Sequence, residues 1–185
     1  MTLTAQATLE RLTDRVRGEG GLLAAALLPG GPAVPAHDPE LGALAAAGPR
    51  AASDPATFAF VVEAVREAHL LHGGNSRLID AGDRDLAILA GDRLYALGLA
   101  ELAAIGAVDA VRELADVIAL SAQARASDDD ELAEAAWAAG VAAIGWGSSD
   151  GLERAKSDAR AGMPGAARGL NAAAARRHGR TPPAR

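Results

Sequence analysis

DLAILAGDRLYALGLAELAAI, residues 85–105, is the stretch on which the fold turns. Wound at 3.6 residues per turn, it sets Leu86, Leu94 and Leu97 on one side and Ile88, Tyr95, Leu99 and Leu102 on another. A helix that is apolar nearly all round is covered by neighbours on several sides. The spacing therefore predicts the central helix of an all-α, single-domain bundle.

The neighbouring segments keep the same period. Leu9, Leu12 and Val16 stripe a helix over 5–17, a short apolar helix ends near Leu28, and residues 40–47 form another. Pro29 to Pro39, with Gly30, Gly31, Pro32 and Pro35, is a loop. Asp54 before Pro55 starts a helix, because the carboxylate caps free N–H groups and proline suits the first position. Phe58, Val61, Val62, Val65, His69 and His72 then share a stripe that stops at Gly73 and Gly74. Beyond a polar connection over 75–84 and the quoted helix, Val111, Leu114, Ile118 and Ala122 mark a helix over 108–124. Asp128 to Glu131 favour the start of one reaching Ile144, and Asp150 with Glu153 reads as a capping box opening one more. No strand-like alternation runs beyond about four residues. Residues 1–162 are thus expected to be a helical domain, and 163–185 an Arg- and Ala-rich tail with Thr181 to Arg185 disordered.

Composition narrows the function classes. Hydrophobic residues make up 50% of the 185 and aromatics 3%, so the core must be built from Leu, Val, Ile and above all Ala, the best helix former. The absence of cysteine excludes disulfides, thiolate metal sites and cysteine nucleophiles. The apolar run Leu22 to Leu28 is too short to span a bilayer, and the start lacks a signal-peptide pattern, so the expected location is the cytoplasm. The net charge of −6 is unevenly divided: residues 1–150 carry 10 basic and 22 acidic side chains, residues 151–185 carry 8 and 2. An acidic body repels nucleic acid, while the basic end reads as solvated or as a contact for an acidic partner.

Two stretches carry a family resemblance. Leu89-Ala90-Gly91-Asp92-Arg93-Leu94-Tyr95-Ala96-Leu97 is similar to the LAGD signature of polyprenyl synthetases, the trans-isoprenyl diphosphate synthases. Glu67-Ala68-His69-Leu70-Leu71-His72-Gly73-Gly74 resembles the helix that leads into their first Asp-rich motif. Gly48-Pro49-Arg50 stands where the family has a basic element. The resemblance covers roughly residues 45–125 in the family's order and implies an isoprenoid-synthase-like first half. Active members bind an allylic diphosphate through Mg²⁺, a hard cation held by carboxylates, and join it to isopentenyl diphosphate.

This chain departs from that pattern where the chemistry lies. Gly73 and Gly74 replace the first aspartate pair, and Asn75 is neutral. The interval from His72 to Asp92 is 20 residues, short for the family, and the chain ends before a second Asp-rich motif. Asp128-Asp129-Asp130-Glu131 stands too early and suits a helix cap. The resemblance thus implies no catalytic residue, no metal ligand and no cofactor, with Arg50, His69, His72, Arg77 and Asp92 as remnants of a substrate site. Read on their own, His69 and His72 are packing histidines on an apolar stripe, since a second Glu-x-x-His helix is missing. Asp92, in an apolar helix, is expected to be buried and paired with Arg66 or Arg77, or else to sit on a cavity's polar rim.

The function expected is that of a non-catalytic accessory or regulatory subunit. Its partners are expected to be a second copy or a catalytic isoprenyl synthase, docked as a dimer through the central helices, with no nucleic acid and no membrane span. Two other readings stand beside it. One is a protein that binds a prenyl chain or other lipid beside Ala96, Gly98 and Ala100. The other is a divergent prenyltransferase that uses Asp80, Asp83 and Asp92.

Overall fold

The computed structural model describes residues 3–179, and the expected disorder of Thr181 to Arg185 falls outside them. The fold is all-α: 72% of it is helical, with no strand among the described residues. The helices are α1 Ala5–Glu19, α2 Gly21–Ala25, α3 Leu41–Ala46, α4 Pro55–His72, α5 Arg84–Ala104, α6 Val108–Ala126, α7 Asp130–Trp146, α8 Asp150–Arg160 and α9 Ala166–Arg177. Among the described residues, contacts gather into two compact units, one of those up to 46 with 54–106, the other of 47–53 with those from 107 on.

The first unit is organised by α4, which packs against α5, α3 and α1. Asp54 accepts a hydrogen bond from the Thr57 N–H and Pro55 takes the first helical position, so the helix starts where sequence chemistry puts it. Phe58, Phe60, Val61, Val62, Val65 and Leu71 are all buried. Close packing on α4 requires glycine at Gly98, where an added Cβ would lie 2.7 Å from Val65 Cγ2.

This corrects the expectation that residues 85–105 form the central helix. In α5 only Ala90, Gly91, Leu94, Leu97, Gly98 and Leu102 are buried, all turned toward one side, and Leu89 is 62% exposed. Asp85, Asp92 and Arg93 belong to the exposed side, so helix α5 lies along α4 and does not run through a core.

In the second unit α7 holds the middle, packed by α6, α9 and the 3-10 turn Pro49–Ala51. Its core is alanine-rich, with Ala135, Ala136, Ala139 and Ala143 meeting Leu120, Leu152 and Leu170. Gly140 faces the Val117 side chain, and Gly48 sits against the Gly145 backbone so closely that neither position has room for a Cβ. Asp129 caps α7 by accepting from the Leu132 N–H. Ser149, rather than the expected Asp150, caps α8, with Asp150 in its first turn. The stretch read as a tail contains α9, which buries Leu170, Ala173 and Ala174.

Candidate functional site

The polar centre of the first unit is a buried ion cluster built on α4. Glu63, Arg66 and Glu67 project from consecutive turns of that helix. Arg77, in the segment between α4 and α5, is 3% exposed and donates three ways: Nε to Glu67 Oε2 at 3.0 Å, Nη2 to Glu63 Oε2 at 2.9 Å and Nη1 to Asp38 Oδ2 at 2.5 Å. Asp38 Oδ1 accepts from Arg66 Nη2 at 3.0 Å. The remaining carboxylate oxygens are served by neutral donors. Glu63 Oε1 accepts from the Gly42 N–H at 2.9 Å, and Glu67 Oε1 accepts from Ser76 Oγ and the N–H groups of Arg77 and Leu78.

Burial works to lower the Arg77 pKa, but the carboxylates of Glu63, Glu67 and Asp38 outweigh it and hold the guanidinium above its ordinary value. Two loops are pinned in the process. The Leu27–Ile79 bridge, with bonds from Leu28 N–H to the Leu78 carbonyl and from Ala33 N–H to the Arg77 carbonyl, lays residues 26–33 beside residues 77–80.

A second, more exposed group lies at the end of α4. His72 Nε2 stands 3.5 Å from Asp92 Oδ1 and 3.3 Å from the Ile88 carbonyl, with the Tyr95 ring edge-on at 5.4 Å. Gly91 makes room for this imidazole, because a Cβ there would collide with it. Asp92 is therefore not the buried partner of an arginine that the apolar sequence around it suggests. Its side chain is 65% exposed, and Asp38 takes both Arg66 and Arg77. His69 is half-buried on the same helix.

The five sequence-derived candidates are thus not one constellation. His72 and Asp92 meet; Arg77 is consumed inside the ion cluster; His69 packs on α4. Arg50 belongs to the second unit, where its Nη2 reaches Asp109 Oδ2 at 2.8 Å. Asp109 is held below the usual carboxylate range by the hydrogen bond and the charge of Arg50. Asp38 was not found by sequence reading, since it sits in a Pro- and Gly-rich loop with no periodicity. The legible signal was the reverse one, Glu63, Arg66 and Glu67 on a helix otherwise apolar.

Gly73 caps α4 and Gly74 turns away at φ +76°, so the chain just past His72 presents backbone alone before Asn75. Asp80 accepts from the Gly82 N–H and Asp83 caps α5 through the Leu86 N–H. Among the described residues no three His, Asp or Glu side chains are placed to hold a metal ion, and no helix is long and apolar enough to cross a membrane. No family model, no curated protein and no solved structure matches this chain.

Proposed function

We propose that the chain is a non-catalytic helical subunit, of the kind its likeness to polyprenyl synthetases suggests, that docks on a catalytic isoprenyl diphosphate synthase. The observation that carries this reading is the inward commitment of its charged groups. Glu63, Glu67 and Arg77, the buried carboxylates and guanidinium packed on α4, are spent on one another and on Asp38. The helix end itself carries Gly73 and Gly74. Apart from Asp92, held against His72, the charged side chains there are turned inward, while Leu89, Ala96, Ala100 and Ala103 are exposed on α5 among Asp85, Asp92 and Arg93. Single exposed apolar residues are ordinary; spaced along four turns among charges, these suit an amphipathic partner helix.

The reading carries a cytoplasmic location and a dimeric assembly with it. Mixing the chain with a full-length synthase at micromolar concentration and weighing the eluting species tests it. A joint species that Leu89→Arg weakens at least about tenfold supports docking through α5. A chain that elutes alone removes the proposal.

A small-molecule function is favoured by one separate feature. A half-open surface depression of about 410 Å³ in the second unit is lined by Gln123, Asp129, Glu131, Leu132, Met163 and Arg168. Its mixed lining suits a compact amphiphile better than a long prenyl chain. The room expected near Gly98 is filled by Val65, and Ala96 and Ala100 face outward. Native mass spectrometry of the purified chain separates a retained small molecule from a protein partner.

A further inference from the structure

We infer that Arg66 and Arg77 form a small-oxyanion site which the chain's own Asp38 fills, residues 29–39 acting as the strap that carries it. Asp38 holds the two guanidiniums as a bound carboxylate ligand does, one oxygen to each, at 3.0 Å and 2.5 Å. That bridging geometry is how paired arginines recognise carboxylate or phosphate oxygens. Arg66 and Arg77 balance Glu63 and Glu67, and all four side chains are buried. Asp38 is the surplus charge, and it comes from a segment with no helix of its own.

That segment is held at two points, Asp38 on the arginines and Ala33 N–H on the Arg77 carbonyl, while Pro29, Gly30, Pro35, Ala36 and His37 are exposed. Arg77 does not depend on the strap for its position, since Glu63 and Glu67 orient it from behind. Lifting the strap therefore leaves Arg77 aimed, with Arg66 beside it on α4, a site for a carboxylate or an inorganic phosphate. While the strap is closed, a tethered carboxylate at millimolar or higher effective concentration excludes free anions.

The test uses the full chain with Asp38→Gly. Sodium formate and inorganic phosphate are titrated against chloride at matched ionic strength, and the melting temperature is followed. The expected result is a saturable rise of about 3–6 °C in Asp38→Gly. The native chain and Asp38→Gly combined with Arg66→Gln show none. A response to formate alone assigns a carboxylate ligand, and a response to phosphate extends the site to phosphoryl groups. No rise beyond chloride, or an equal rise in the native chain or the double variant, overturns the inference. If Asp38→Gly does not fold in chloride, refolding from urea is repeated in formate. Recovery of the helical signal supports the site, and failure to recover overturns it.

Discussion

Arg77→Met removes one cation from the middle of three carboxylates and keeps most of the aliphatic stem. Its guanidinium makes three ion pairs between 2.5 and 3.0 Å, and the side chains of Asp38, Glu63 and Glu67 are nearly as inaccessible as its own. Removing one partner of a buried pair costs about 3–5 kcal/mol, because the remaining charge is stranded away from water. Here three carboxylates are stranded with Arg66 alone, so the upper part of that range applies. Against a usual stability of about 5–15 kcal/mol, this is a third or more of the total. Urea denaturation followed by circular dichroism measures it. Adding Glu63→Gln and Glu67→Gln to Arg77→Met relieves the stranded charge and is expected to recover part of the loss. A loss below about 1 kcal/mol for Arg77→Met would falsify the claim that these charges are buried and mutually dependent.

Gly98→Ala drives a Cβ into Val65 Cγ2 on α4 and is expected to cost about 1–3 kcal/mol, read from the urea midpoint; an unchanged midpoint means the two helices are not in contact. Gly48→Ala meets backbone at Gly145, which cannot rotate away, so it is expected to lose at least as much by the same measurement. Stability also depends on pH through the second unit. Burial raises the Asp116 pKa, but hydrogen bonds from Lys156 and Arg160 outweigh it and leave the carboxyl below the ordinary carboxylate range. A depressed acid contributes fully above its unfolded value and loses that contribution as pH falls through the folded one. Stability is therefore expected to drop below about pH 4, and Asp116→Asn to flatten that drop in urea titrations at stepped pH. Burial works to lower the Lys156 pKa, but the Asp116, Glu113 and Glu153 partners outweigh it and hold the ammonium above its ordinary value, so its contribution persists to high pH and fades only through its folded value.

Most helices were legible because they announce themselves locally; α9 was not, because its Ala, Arg and Gly run reads as a tail. Asp54 with Pro55, Gly73, Gly106 and the acids before Leu132 bound elements that the structure reproduces to within a few residues. What periodicity does not settle is which apolar helix the others surround. α5 and α4 look alike in hydrophobic content, and the difference lies in the charged residues: those of α5 face outward, while Glu63, Arg66 and Glu67 of α4 face inward because Arg77 and Asp38 meet them there. A pairing between a loop at residue 38 and another at residue 77 leaves no trace in spacing. The same blindness misplaced Asp92, whose apolar neighbours in sequence are not its neighbours in space.

An alanine-rich core sharpens the question of what the buried charges are for. Ala135, Ala136, Ala139 and Ala143 offer little shape to fix how α7 meets its neighbours. Gly140 against Val117 fixes α7 on α6, whereas α8 meets the same core through Leu152, Ala155 and Ala159. Lys156, the only lysine, ties α8 to α6: buried on α8, it reaches Glu113 and Asp116 on α6, each at 2.8 Å. Buried ion pairs add little net stability over well-packed apolar side chains, but they can specify register. Lys156→Met with Glu113→Leu is therefore expected to leave the unfolding free energy from urea titration unchanged or higher, by up to about 4 kcal/mol, while amide resonances of α6 and α8 broaden or multiply. A midpoint that falls steeply with sharp resonances kept would mean the pair stabilises this unit rather than specifying it.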